Sequence, residues 1–79
     1  MPSIHAADVS ESRRLQRVLE LLRSRPEGAT TREIIAATGT CAVNSVAAEL
    51  RQNGYNIECR YEGQSDEGMR IYRYRLIST

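Results

Sequence analysis

The side chains that could carry out catalysis or bind a metal are few and scattered in this sequence. The single histidine, His5, lies in a stretch without periodicity, and the two cysteines, Cys41 and Cys59, are far apart. A nucleophile and its base must lie within hydrogen-bond reach, so the segment around His5 would have to be held against a cysteine. A zinc site would need a fourth ligand and a local spacing that these residues lack. We therefore expect two free thiols and no enzyme activity, no cofactor and no metal.

The charged residues narrow the classes of binding partner. The chain has 11 basic residues, all of them arginine, against 10 acidic residues, for a formal net charge of +1. So small a net charge excludes a general polyanion-binding tail, and it also argues against an acidic mimic of DNA. Any affinity for nucleic acid must then depend on where the arginines lie.

The centre of the chain is predicted to form two helices, residues 31–38 and 41–53, joined by a tight turn. Thr30 has the side chain of a helix cap, and the Glu33 carboxylate can reach back to the cap's own N–H to complete a capping box. Gly39 ends the first of these helices because glycine adopts the left-handed conformation at little steric cost. Two helices joined by a short turn with Gly make a helix-turn-helix unit.

Helical periodicity defines an earlier helix and the expected core. This helix begins at Ser10 or Ser12 and ends near Ser24, before a proline blocks its continuation. Residues 1–10 show no periodicity and are expected to be a flexible arm, so the predicted domain spans residues 11–78. The apolar stripes of the three helices predict a core of Leu15, Val18, Leu19, Leu22, Ile34, Ile35, Ala37, Val43, Val46, Ala47 and Leu50.

After the third helix the apolar period changes from helical to two. This change predicts a β-hairpin over residues 55–76, with strands 55–62 and 69–76 and a Gly-containing loop between them. Three helices followed by a β-hairpin is the order of a winged helix. The sequence thus predicts an α+β winged helix-turn-helix fold with the hairpin as its wing.

The register of the hairpin can be predicted from its charges and apolar residues. Placing Ile57 opposite Tyr74 also places Glu58 opposite Arg73, which gives an apolar pair on one face and an opposite-charge pair on the other.

A helix-turn-helix unit can place its second helix in a DNA major groove, with the N-terminal end nearest the bases. The outward side chains there are short and uncharged. Asn44 could pair bidentately with an adenine edge, and Ala42 could touch a thymine methyl. The predicted base contacts are Thr40, Cys41, Ala42, Asn44 and Ser45. The predicted contacts to the DNA backbone are Arg32, Arg51, Arg60 and Arg70.

From Arg14 to Leu76 the chain resembles the small winged helix-turn-helix DNA-binding proteins of bacteriophage and prophage genomes. The segments that carry the resemblance are TTREIIAATG, AVNSVAAELRQNGYNIECR and the closing RIYRYRL. The resemblance implies DNA binding in transcriptional control, excision or another step of the phage cycle.

The partner expected from these patterns is double-stranded DNA, bound sequence-specifically by a symmetric pair of chains. One alternative is a protein-binding winged helix, such as a phage-encoded inhibitor of a host complex, whose contact surface would be apolar and uncharged at its centre. A thiol- or metal-dependent sensor that uses Cys41 is a third. No stretch has the apolar length of a membrane span, so we expect a protein of the bacterial cytoplasm without a membrane partner.

Overall fold

A computed structural model describes residues 12–78, and for Ser78 it describes the backbone alone. The predicted arm, residues 1–10, lies outside the described residues, as does Glu11. Residues 12–78 form three helices and a three-stranded antiparallel sheet, which confirms the α+β class and is compatible with a winged helix. The elements are α1 (Arg13–Ser24), β1 (Ala29–Thr30), α2 (Thr31–Thr38), α3 (Val43–Gln52), β2 (Asn56–Gln64) and β3 (Arg70–Ser78).

Helices α1 and α3 form most of the core through the apolar stripes that the sequence predicted. Ser12 caps α1 by accepting a hydrogen bond from the Leu15 N–H at 3.3 Å, which selects it over Ser10 as the start of the helix. The apolar residues predicted for these two helices are all buried, and each of them is at most 4% exposed. None of the described helices is long and apolar enough to cross a membrane. The buried core consists of Leu15, Val18, Leu19, Leu22, Ala29, Ile34, Val43, Val46, Ala47, Leu50, Ile57 and Tyr74.

Helix α2 begins as predicted but buries less of its surface than predicted. Thr30 Oγ1 accepts from the Glu33 N–H at 3.2 Å, and Glu33 Oε1 accepts from the Thr30 N–H at 2.8 Å, so the capping box is present. The placement of Ile35 and Ala37 in the core was wrong, because both are exposed. The buried stripe of this two-turn helix runs along Ile34 and the half-buried Thr38, and the two exposed residues lie on either side of it.

The turn before α3 is longer than predicted. Gly39 ends α2 in the left-handed conformation, at φ 75°, as expected. Helix α3 then begins at Val43 and not near Cys41, because residues 40–42 continue the turn. The Thr40 N–H donates to the Thr38 hydroxyl at 3.2 Å, and this bond holds the first residue of the extended turn against α2.

The sheet contains a strand that the sequence did not reveal. Strand β1 has two residues, too few to show a period, and it pairs with the middle strand β3 in the order β1-β3-β2. Gly28, just before β1, has φ 86°, and a Cβ at this position would lie 2.4 Å from the carbonyl oxygen of Tyr74. Only a glycine lets the chain enter the sheet this close to β3.

The predicted register of the hairpin was wrong by two residues. Ile57 lies opposite Leu76, and Tyr74 lies opposite Cys59. Both strands begin one residue later and end two residues later than predicted. An irregularity between Tyr61 and Gln64 shifts the pairing near the loop. A shift of two leaves each side chain on its predicted face, because side chains alternate with a period of two.

Candidate functional site

A groove lies between the N-terminal end of α3 and the β3 strand, beside α2. Its volume is about 680 Å³. The short outward side chains of α3 form one wall, and the start of β3 forms the other. The residues that line it are Thr30, Thr31, Arg32, Ile35, Cys41, Ala42, Val43, Asn44, Ser45, Ser65, Met69, Arg70, Ile71, Tyr72 and Tyr74.

The groove carries positive charge that nearby carboxylates do not neutralise. Arg32 on α2 and Arg70 at the start of β3 are the charged residues among those that line it, and none of the described lining residues is acidic. Both arginines are exposed, and neither forms an ion pair with a described residue. An anion that entered the groove would meet two available guanidinium groups.

Most other arginines in the described part of the chain already have partners. Arg73 is an example, since its Nε donates to Glu62 at 2.8 Å and this hydrogen bond raises the pKa of the guanidinium. Besides Arg32 and Arg70, only Arg13 and Arg17 on α1 have no ion-pair, hydrogen-bond or aromatic partner among residues 12–78. The arginines in ion pairs with carboxylates are Arg14, Arg25, Arg60, Arg73 and Arg75.

The predicted base-contacting residues separate into an exposed group and one buried residue. Cys41, Ala42, Asn44 and Ser45 are exposed and line the groove together. Thr40 is 6% exposed and does not line it, because the turn before α3 folds its side chain inward. The surface offered to a ligand therefore begins at Cys41, in the turn before α3.

The predicted backbone-contacting arginines also separate. Arg32 and Arg70 lie on the groove, whereas Arg51 and Arg60 do not line it. The Arg51 Nε donates to the Ile57 carbonyl at 3.0 Å, which ties the end of α3 to β2. Arg60 lies 3.8 Å from Glu58 on its own strand, so its charge is partly neutralised.

Asn44 makes a hydrogen bond that its sequence position did not reveal. The hydroxyl of Tyr74 donates to Asn44 Oδ1, although the two residues belong to different elements. Tyr74 is 3% exposed, and its burial raises the pKa of the phenol, with a further contribution from Cys59 opposite it on β2. The hydroxyl thus keeps its proton and remains a donor to the amide.

The groove also has apolar residues that the sequence did not assign to any site. Met69 is 65% exposed and Ile35 is 37% exposed, and both line it together with the half-buried Ile71 and Tyr72. The signal for Ile35 was misread, because an isoleucine on a short helix suggested core packing. Met69 follows a loop glycine, and nothing in its spacing indicates a surface role.

The thiols and carboxylates in the described part of the chain do not gather into a metal site. Within residues 12–78 no three His, Cys, Asp or Glu side chains lie close enough to hold a metal ion. Cys41 and Cys59 are both exposed and free. His5 lies outside the described residues.

Comparison of this chain with protein-family models, with curated proteins and with solved structures found no match. Its function must be inferred from the groove itself.

Proposed function

We propose that this protein is a winged helix that binds double-stranded DNA sequence-specifically, with α3 in the major groove and the β2–β3 hairpin as its wing. The observation that carries the proposal is the distribution of charge. Arg32 and Arg70 form no ion pair with a carboxylate of residues 12–78, and they lie on the same groove as the short outward side chains at the start of α3. Phosphate contacts position a protein on DNA, and short side chains let a helix approach base edges closely.

The tip of the wing is acidic and the strand that follows it begins with an arginine, which restricts how the hairpin can approach DNA. Asp66 and Glu67 lie exposed in the loop at its tip. Arg70 begins β3 directly after this loop, opposite Gln64. In the proposed complex the arginine contacts the phosphates, and the acidic tip points away from them, since like charges repel.

The resemblance of the sequence to phage and prophage proteins supports a role in transcription control or in excision. One domain of this size offers a small contact area, so we propose that two copies bind a site with two-fold symmetry.

The proposal is tested by measuring how salt weakens binding. Fluorescence anisotropy with a labelled duplex from the protein's own upstream region gives the slope of log affinity against log salt concentration. Each phosphate contact contributes about 0.9 to this slope. The double variant Arg32→Gln/Arg70→Gln should therefore make this negative slope less steep by about 1.8.

The matched control is Arg13→Gln/Arg17→Gln, which removes the same charge from exposed arginines that do not line the groove. This variant should keep the parent slope. An equal loss of slope in both double variants would show that net charge, and not the groove, governs binding.

A second candidate function, binding to a protein, is favoured by the apolar residues of the groove. Exposed Met69 and Ile35 suit the centre of a protein interface better than a phosphate backbone. Binding of this kind should depend weakly on salt and respond to Met69→Ser more than to Arg32→Gln. Duplex affinity that barely changes between low and physiological salt would favour this alternative.

A further inference from the structure

We propose that Tyr74 is a positioning residue that orients the Asn44 amide, so that α3 presents N–H donors and prefers a guanine edge. The inference rests on the proposed DNA-binding function and adds the class of base that is read at one position. It concerns two residues from different elements that meet at the wall of the groove.

Tyr74 can set the position of another side chain because it is itself held firmly. Its ring is in the core, and its strand β3 lies between β1 and β2, with Ala29 and Cys59 as its cross-strand partners. Gly28 packs directly against its carbonyl oxygen. The hydroxyl therefore emerges from the core at a fixed point beside α3.

The proton on this hydroxyl determines which end of the amide it holds. Burial raises the pKa of the phenol, so the group remains protonated throughout the neutral range. A protonated hydroxyl can donate to Asn44 Oδ1, and this contact turns the amide oxygen toward the protein. The Nδ2 group then keeps both of its N–H donors available to a ligand.

This arrangement changes the base that suits Asn44. An asparagine that pairs bidentately with adenine must accept from N6 and donate to N7, which requires an oxygen and a nitrogen facing the base together. An amide whose oxygen is already engaged mainly offers donors. Guanine presents two acceptors, N7 and O6, on its major-groove edge and so matches it best.

The experiment begins with selection of binding sites from a randomised duplex library by the parent protein. Anisotropy titrations then compare four duplexes that differ at one base pair only. This is the base pair at which the Asn44→Ala variant shows no sequence preference. We expect guanine to be preferred over adenine at this position by roughly five- to 150-fold, the range of one good base contact. A parent preference for adenine at this position would overturn the inference.

Two variants test the role of Tyr74. Tyr74→Phe removes only the hydroxyl, and it should reduce the preference for guanine to about twofold or less while the salt slope stays at the parent value. Asn44→Asp, at an exposed position, keeps an acceptor for Tyr74 but has no N–H donors. It should shift the preference toward cytosine, whose N4 group donates.

The outcomes separate this inference from the proposed function. An unchanged base preference in Tyr74→Phe, with normal melting and normal salt dependence, would overturn the positioning role and leave DNA binding intact. Absence of salt-dependent binding to any duplex by the parent would overturn both. Asn44→Asp is the second test should Tyr74→Phe melt at a much lower temperature.

Discussion

Replacement of Gly28 by alanine should destabilise the fold more than any other glycine-to-alanine change in residues 12–78. Two costs add at this position. Its φ of 86° lies in the left-handed region, where a side chain costs about 1–2 kcal/mol. The new Cβ would also lie 2.4 Å from the carbonyl oxygen of Tyr74 and 3.1 Å from the Cβ of Arg75.

Neither neighbour can move without disturbing the sheet. The oxygen belongs to the backbone of the central strand, so β1 must shift away from β3. Forcing an extra methyl group into packed structure costs about 1–3 kcal/mol. The total loss in free energy of unfolding is then about 2–5 kcal/mol, a large share of the roughly 4–12 kcal/mol expected for a domain of this size.

Gly39→Ala is the matched control, because it separates the conformational cost from the clash. Gly39 has φ 75°, and beyond its two chain neighbours no heavy atom of the described residues lies within 4 Å of a Cβ built there. Its replacement should therefore cost only about 1–2 kcal/mol.

The assay is urea unfolding of the parent and both variants, followed by far-ultraviolet circular dichroism. With a slope near 1 kcal/mol per molar urea, the two variants should differ in midpoint by about 1–3 M. Equal midpoints for Gly28→Ala and Gly39→Ala would refute the close approach of β1 to β3.

Two further predictions concern α2. Ile34→Ala should lower the free energy of unfolding in urea by about 2–5 kcal/mol, because Ile34 is 0% exposed. Ile35→Ala, at its exposed neighbour, should lower it by less than about 1 kcal/mol. Equal losses would contradict the finding that Ile34 faces the core and Ile35 faces outward. The Glu33 carboxylate has a pKa below its ordinary 4.5, chiefly through its hydrogen bond from the Thr30 backbone N–H. The stabilisation that the ionised carboxylate gives is thus present above pH 4.5 and lost as the pH falls through the lowered pKa. Glu33→Gln keeps the cap but does not titrate, so it should lose less stability between pH 7 and pH 3 than the parent. Parallel curves of stability against pH would argue against a contribution from the Glu33 carboxylate.

Local sequence signals predicted the helices because their causes are local. The Thr30 and Glu33 capping box needs only two residues three apart, and Gly39 needs only its own backbone freedom. The apolar stripes of α1 and α3 could be predicted from the helical period of their apolar residues alone. For helix α2 the period was not sufficient, because two turns are too short to show which of Ile34, Ile35 and Ala37 faces inward.

The local sequence pattern of the hairpin does not specify the register in which β2 and β3 pair. Alternation of apolar residues fixed the face of each side chain but left the register open to a shift of two. The loop decides the register, because the Ser65 N–H donates to the Met69 carbonyl at 2.8 Å and closes a shorter turn than predicted.

The candidate site follows the same division between local and long-range causes. The sequence by itself determined that the N-terminal end of α3 would present short uncharged side chains, because periodicity assigns each residue to a face. Only the tertiary structure decided that Arg32 and Arg70 share a groove lined by no acidic residue of the described chain, and that Tyr74 holds Asn44. These relations join residues distant in the chain, and they depend on how the sheet packs against the helices. No spacing along the sequence encodes that packing.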